Sequence, residues 1–367
     1  MKWNKWIFAG MSALTLAACG TADTTESVED SATDAASTES VSEMAATTDA
    51  SGSFTLYTSQ PEQDIAQLVE GFNEVYPNIQ VEVFRSGTEE VLSKVMAEKE
   101  TGDILADALL VSDSFTFEGL AEEDLLQAYE SPELEAIPTE YIDDENLYAG
   151  TKVIATGIAV NTDRVDASGI TGYQSLTDAA YADQVMIPSP LYSGAASLNL
   201  SIMTQQDSLG WELYENLKAN GLFVGQGNGT VRDALLNGQK GIGVLVDYMA
   251  NRARIDGAPI AFIYPEEGAL YVTEPIGIIN GADNADMAEF FVDYILSEEG
   301  QTVTSEMGYT PVREGIAAPE GLKGVDEITP MVFDEAKVME TREADKERFA
   351  EIFGQKNQKQ CPKTGMN

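Results

Sequence analysis

From residue 54 onward the chain alternates short apolar runs with longer stretches of helical period, and few folds accept that rhythm. "FTLYTS" (54–59) reads as an alternating strand, followed by Ile65, Leu68, Val69, Phe72 and Val75 on one face of a helix. Ser59 and Glu62 stand at capping-box spacing where that helix begins. "IQVEVFRSG" predicts a second strand and "EEVLSKVMAEKE" a second helix. "ADALLVSD" predicts a third strand running into a helix at 115–120. After residue 180 the pattern resumes: "DQVMIP" as strand, "SGAASLNL" as helix, and "GWELYENLKANG" as a helix ending at Gly221. "TVRDALLNG" follows as a helix capped by Thr230, then "KGIGVLVD" as a strand and a helix to Gly257. Strands separated by helices of this length need crossover connections, so the fold class is α/β, with mainly parallel sheets covered on both faces.

Two extended stretches, "KVIATGIAVNTD" (152–163) and "PIAFIYPEEGALYVTEPIGIIN" (259–280), flank the second set of units. They predict one lobe inserted in another: 54–155 with 268–354 as lobe 1, 156–267 as lobe 2, and a two-segment hinge between them. Ligand would then sit at the carboxyl ends of strands from both sheets, with closure by hinge motion.

The 367 residues suffice for two domains, and a formal charge of −41 makes nucleic acid and anionic lipid poor partners. Histidine is absent, which excludes Ser-His-Asp and Cys-His catalysis and HExxH zinc sites. Carboxylate, tyrosine, lysine and metal–oxygen chemistry stay open. Neighbouring acids such as Asp143-Asp144 or Glu266-Glu267 could in principle serve a glycosidase, but in a chain with 62 acids they read as solvated surface. An adhesin or structural lipoprotein would account for an anchor but not for the two-lobed pattern.

The amino-terminal 18 residues carry Lys2 and Lys5 ahead of an apolar run, as a secretory signal peptide does. The run ends in "LAAC", which resembles a bacterial lipobox and marks Cys19 for lipidation; an ordinary signal peptide with an incidental cysteine is the alternative. Residues 19–53 hold eight acids, no Lys or Arg and no aromatic side chain, so they are expected to form a disordered acidic tether. The expectation is export with lipid anchoring at the outer face or in the periplasm. Residues 355–367 form a basic tail containing Cys361, for which the sequence suggests no role.

"PSPLYSGAASLNL" (188–200) joins small residues to a helix start. With Ser193 as cap and Gly194 and Ala195 next, unpaired backbone N–H groups and the helix dipole could hold an anion. The alternative is a Ser cap followed by small residues for packing. Other cleft candidates follow from position: Ser59 and Gln60 after the first strand, Gly87 and Thr88 after the second, Ser112 and Asp113 after the third. Asn228 lies in the flexible "GQGNGT" turn, and Tyr264 and Glu266 lie on the second crossing segment. Asp247 and Tyr248 close the "GIGVLVDY" strand, where they could hold an ammonium group or cap the next helix.

In their order, "LYTSQPEQDIAQLVEGFNEVYPNIQVEVFRSGTEEVLSKV", "IAVNTD", "SGAAS", "AFIYPEEG" and "ILSEEGQTVTSEMGYTPVR" resemble the solute-binding proteins of bacterial ABC importers with the two-lobed type II periplasmic-binding fold. The likeness spans roughly 54–353 and is greatest to the branch with ferric-ion, thiamine, sugar-phosphate and 2-aminoethylphosphonate binders. It implies a monomer that needs no cofactor, catalyses nothing and delivers a small solute to a membrane permease and its ATPase. In that branch the matching Ser-Gly-Ala segment binds an anion, so a phosphonate or phosphate ester, anionic or zwitterionic, is the expected ligand. Ferric iron is the alternative, since tyrosinates and carboxylates would hold it without histidine. Against it, ferric members often carry His or Tyr where this chain reads Pro61-Glu62, and adjacent tyrosines where it reads Asp247-Tyr248-Met249.

Overall fold

The computed structural model describes residues 49–324, 327 and 329–355. The expected signal peptide, Cys19, most of the expected acidic tether, Cys361 and nearly all of the basic tail lie outside the described residues. The first strand begins earlier than expected, at Gly52, so the tether does not reach residue 53.

The first half opens with β1 (Gly52–Thr58), α1 (Glu62–Val75), β2 (Ile79–Arg85), α2 (Thr88–Thr101), β3 (Ala108–Leu110) and α3 (Ser114–Glu122). Both β2 and β3 pair parallel to β1, with Gly52 opposite Ile79 and Leu56 opposite Ala108. Ile65, Leu68 and Phe72 are the buried stripe of α1, and Phe72 meets Phe54 and Phe291 edge-on, at 6.3 and 5.2 Å between ring centroids. The short β4 (Leu126–Gln127) pairs with the second crossing strand.

β5 (Ala149–Asn161) follows; all thirteen of its residues are buried, as a strand covered on both faces must be. The second half then adds β6 (Val185–Pro188), α4 (Gly194–Thr204), α5 (Gly210–Ala219), β7 (Phe223–Gly225), α6 (Asn228–Leu236), β8 (Ile242–Val246), α7 (Asp247–Ile255) and β9 (Ile260–Ile263). Again the three sheet-core strands are parallel, β6 lying between β7 and β8. Gly221, at φ +80°, ends the helical stretch that includes α5, where glycine escapes the left-handed penalty. β10 (Leu270–Ile279), α8 (Ala285–Leu296), α9 (Glu298–Glu306) and β11 (Thr310–Pro311) return to the first half, and α10 (Glu335–Phe353) closes the order.

The two expected sheets are one. The strand order β2-β1-β3-β10-β5-β8-β6-β7 is continuous, because the crossing strands β5 and β10 pair antiparallel with each other as well as with their own halves. β5 changes partners in mid-strand: up to Thr156 it faces β10, and from Thr156 onward it faces β8 and β9.

Helix α10 corrects the expected lobe boundaries. Residues 268–354 are expected in lobe 1, but α10 packs on α4 and α5 of the second half. Phe349 stands edge-on to Tyr214 at 5.9 Å, and Lys218 Nζ donates to the Ile352 carbonyl. The polar surface of α10 hid this docking from a reading by apolar periodicity.

Candidate functional site

The segments that follow β2 and β3 meet the segment that follows β6 across a closed seam. Ser193 caps α4 as the sequence indicated, its Oγ accepting from Ala196 N at 3.3 Å, and Asn228 Nδ2 donates to the same oxygen at 3.3 Å. Gly194 faces the opposite half: a Cβ placed there would lie 2.7 Å from the Ser112 carbonyl oxygen and 2.9 Å from Thr88 Oγ1. At Gly87 a Cβ would fall 2.5 Å from the Tyr192 carbonyl, which also accepts from Glu89 N at 3.4 Å. Both glycines therefore let two backbones approach, as the packing alternative requires. Among the described residues no hydrogen bond leaves the N–H groups of Gly194 and Ala195, so the helix end keeps its capacity for an acceptor.

A second set of residues lies beside the crossing strands. Ser59 does not form the expected capping box; α1 starts after Pro61 without a side-chain cap. Its Oγ instead lies 3.5 Å from Glu274 Oε1 and accepts from Ser112 N at 3.4 Å. Gln60 is wholly buried and donates from Nε2 to Glu274 Oε2 at 2.9 Å, while among the described residues its Oε1 has no partner. Lys152 Nζ reaches the same Glu274 Oε2 at 2.8 Å, an ion pair whose side chains are 1% and 6% exposed. The β10 register shifts between Thr273 and Pro275, and this irregularity places Glu274 out of the ladder.

Asp247 is buried at the start of α7, where Oδ1 accepts from Ala155 N at 3.2 Å and from Tyr248 N at 2.8 Å. It ties β5 to α7 where β5 changes partners, and burial pushes its carboxyl up to about 7. Tyr248 stacks on Tyr309 at 4.0 Å, with the Arg252 guanidinium 4.7 and 4.9 Å from the two rings. Arg252 pairs with Asp64 at 2.9 Å, and the Tyr309 hydroxyl donates to the same carboxylate. Burial raises both phenols far above their ordinary range. Asp64, Lys152, Arg252, Glu274 and Tyr309 escaped the sequence reading. The strands around Lys152 and Glu274 carried a signal, because a charge inside a run such as "KVIATGIAV" is buried and must be paired.

Asp113 is fully buried and fully engaged. It caps α3 through Thr116 N at 3.0 Å, and Arg342 of α10 grips both its oxygens at 3.0 Å. Thr230 does not cap α6, which starts at Asn228 after Gly227. Tyr264 is half-buried, with Lys323 Nζ 4.9 Å from its ring; burial first, then the nearby Asp247, pushes its phenol up to about 12. Glu266 is exposed and accepts from Thr171 Oγ1 at 2.9 Å. Glu267, read as solvated, accepts instead from Tyr173 N at 3.1 Å and Gln174 N at 3.0 Å, closing a turn.

Residues 100–334 match the family of bacterial extracellular solute-binding proteins. Over 253 residues the chain is 24% identical to a Salmonella typhimurium periplasmic protein named for 2-aminoethylphosphonate binding, covering 63% of this chain and 72% of that one. A periplasmic binding protein of Actinobacillus pleuropneumoniae, solved with fructose-6-phosphate, superposes with a TM-score of 0.75 at 21% identity over 83% of this chain and 99% of the other. Iron-bound HitA of Pseudomonas aeruginosa gives a TM-score of 0.71 at 20% identity over 81% and 99%. These relatives are solute-binding proteins rather than enzymes, and among the described residues no helix is long and apolar enough to cross a membrane. The family match and the shared architecture agree with the resemblance seen in the sequence: the chain belongs to the bacterial extracellular solute-binding proteins and has their two-lobed type II periplasmic-binding fold.

Proposed function

We propose that the protein is the substrate-binding lipoprotein of an ABC importer and captures a small phosphonate or phosphate ester, anionic or zwitterionic, between its two halves. The amino-terminus of α4 carries this reading. Ser193 Oγ is held by Ala196 N and Asn228 Nδ2, and among the described residues the N–H groups of Gly194 and Ala195 remain open beside it. An opened seam would present those donors and the dipole to an anionic group without side-chain bulk in front of them. The phosphonate and sugar-phosphate relatives support the same class. Cys19 would anchor the chain beside the permease, leaving the acidic tether as a leash.

Ferric iron is the second reading, favoured by the Tyr248–Tyr309 stack and the iron-bound relative. Two features oppose it: Arg252 lies against both rings, and the Tyr309 hydroxyl is committed to Asp64. Thermal-shift titration of metal-free protein separates the readings. 2-Aminoethylphosphonate or fructose-6-phosphate at a hundred times its dissociation constant should add about 2.7 kcal/mol. A shift with ferric citrate alone would replace the proposal by the iron reading, and turnover of a phosphate ester would replace both.

A further inference from the structure

Helix α10 rides on one half and reaches into the other. Its attachment to the second half is extensive: Phe349 against Tyr214, Arg348 4.3 Å from the Trp211 ring, and Lys218 at the Ile352 carbonyl. From that base two cations cross the seam. Arg342, 8% exposed, donates from Nε to Ser197 Oγ of α4 at 3.0 Å and holds both oxygens of Asp113 from the first half. Its Nη2 also lies 3.5 Å from Glu89 Oε1, and Lys346 Nζ sits 2.6 Å from Glu89 Oε2. Lys346 has a second carboxylate, Glu343, on its own helix, whereas Arg342 is tied to the first half through both oxygens of Asp113.

The geometry points to a latch: Arg342 and Lys346 of α10, set against Asp113 and Glu89, hold the two halves closed and so set how often the binding site opens. Opening carries α10 away with the second half and strands Asp113, a buried carboxylate, without its guanidinium. Breaking a buried pair from one side is strongly unfavourable, far more so than losing a surface pair. A ligand must then compete with a closed state already held by the protein's own charges. Its apparent affinity is scaled by the fraction of molecules that are open. This holds whichever solute the protein carries.

The test uses ligand-free protein carrying Cys19→Ser and Cys361→Ser, spin-labelled through Ser93→Cys on α2 and Thr230→Cys on α6. Both labelling positions are exposed and lie on opposite halves. The parent should give one short distance. Arg342→Gln with Lys346→Gln should lower the closed-to-open ratio by roughly a hundredfold and bring in a longer distance. Glu89→Gln with Asp113→Asn should do the same from the other half. Arg348→Gln, whose contacts stay within the second half, should change nothing. A parent already open, or a folded Arg342→Gln/Lys346→Gln variant with the parent's distance, would overturn the latch. Should that variant not fold, Glu89→Gln with Asp113→Asn decides: an unchanged distance overturns the latch, and a shift toward the longer one supports it.

Discussion

Gly194→Ala is the smallest change that interrogates the seam. The added methyl would meet a backbone carbonyl, Ser112 O, at 2.7 Å, with Thr88 Oγ1 and Cβ at 2.9 and 3.0 Å. The carbonyl sits just beyond β3 and cannot swing aside as a long side chain would. Inserting a methyl into a site this tight costs about 1–3 kcal/mol. The seam parts more readily than either core deforms, so that cost should fall on closure rather than on folding. The closed-to-open ratio then drops by about 5- to 150-fold. Gly229→Ala is the matched control. It too lies in the first turn of a helix, α6, but a Cβ there meets nothing within 4 Å, and replacing a helical glycine by alanine gains up to about 1 kcal/mol. Distance measurement between the Ser93 and Thr230 labels reports closure, and urea unfolding reports stability. A Gly194→Ala variant that closes like the parent would refute the reasoning. So would one that loses stability while staying closed, which would place the strain inside the fold.

Other expectations follow from buried charges and from the amino-terminus. Lys152→Met strands Glu274 and should cost about 3–5 kcal/mol in urea unfolding, with Glu274→Gln in the same chain restoring part of it; additive losses would refute the pairing. Asp247 has a folded-state value of about 7 against an ordinary 3.8, so the folded state holds the proton longer and stability falls as pH rises from about 4 to about 7. Asp247→Asn should remove that decline, a difference of up to about 4 kcal/mol between pH 4 and pH 8; parallel pH profiles for parent and variant would refute it. Cys19→Ala should release the protein from the membrane fraction, and retention there would count against lipidation.

Local periodicity carried the architecture. The stripe Ile65, Leu68 and Phe72 on α1 and the unbroken apolar run of β5 record which faces are covered, and a parallel α/β layering follows from their alternation alone. The same local chemistry placed Ser193 as the cap of α4, because capping joins residues three apart. It failed at Ser59, where Pro61 precedes the helix and a distant Glu274 takes the hydroxyl. What only the tertiary structure decided is which charges are brought together. Arg342 and Asp113 are 229 residues apart, and Lys152 meets Glu274 across two crossing strands. Such pairs have no sequence period, because long-range packing selects them and only the cost of an unpaired buried charge enforces them. The close approach at Gly194 has the same origin: a missing side chain reads alike whether a ligand or the opposite half of the protein fills the space, and only the folded chain shows Ser112 and Thr88 standing there.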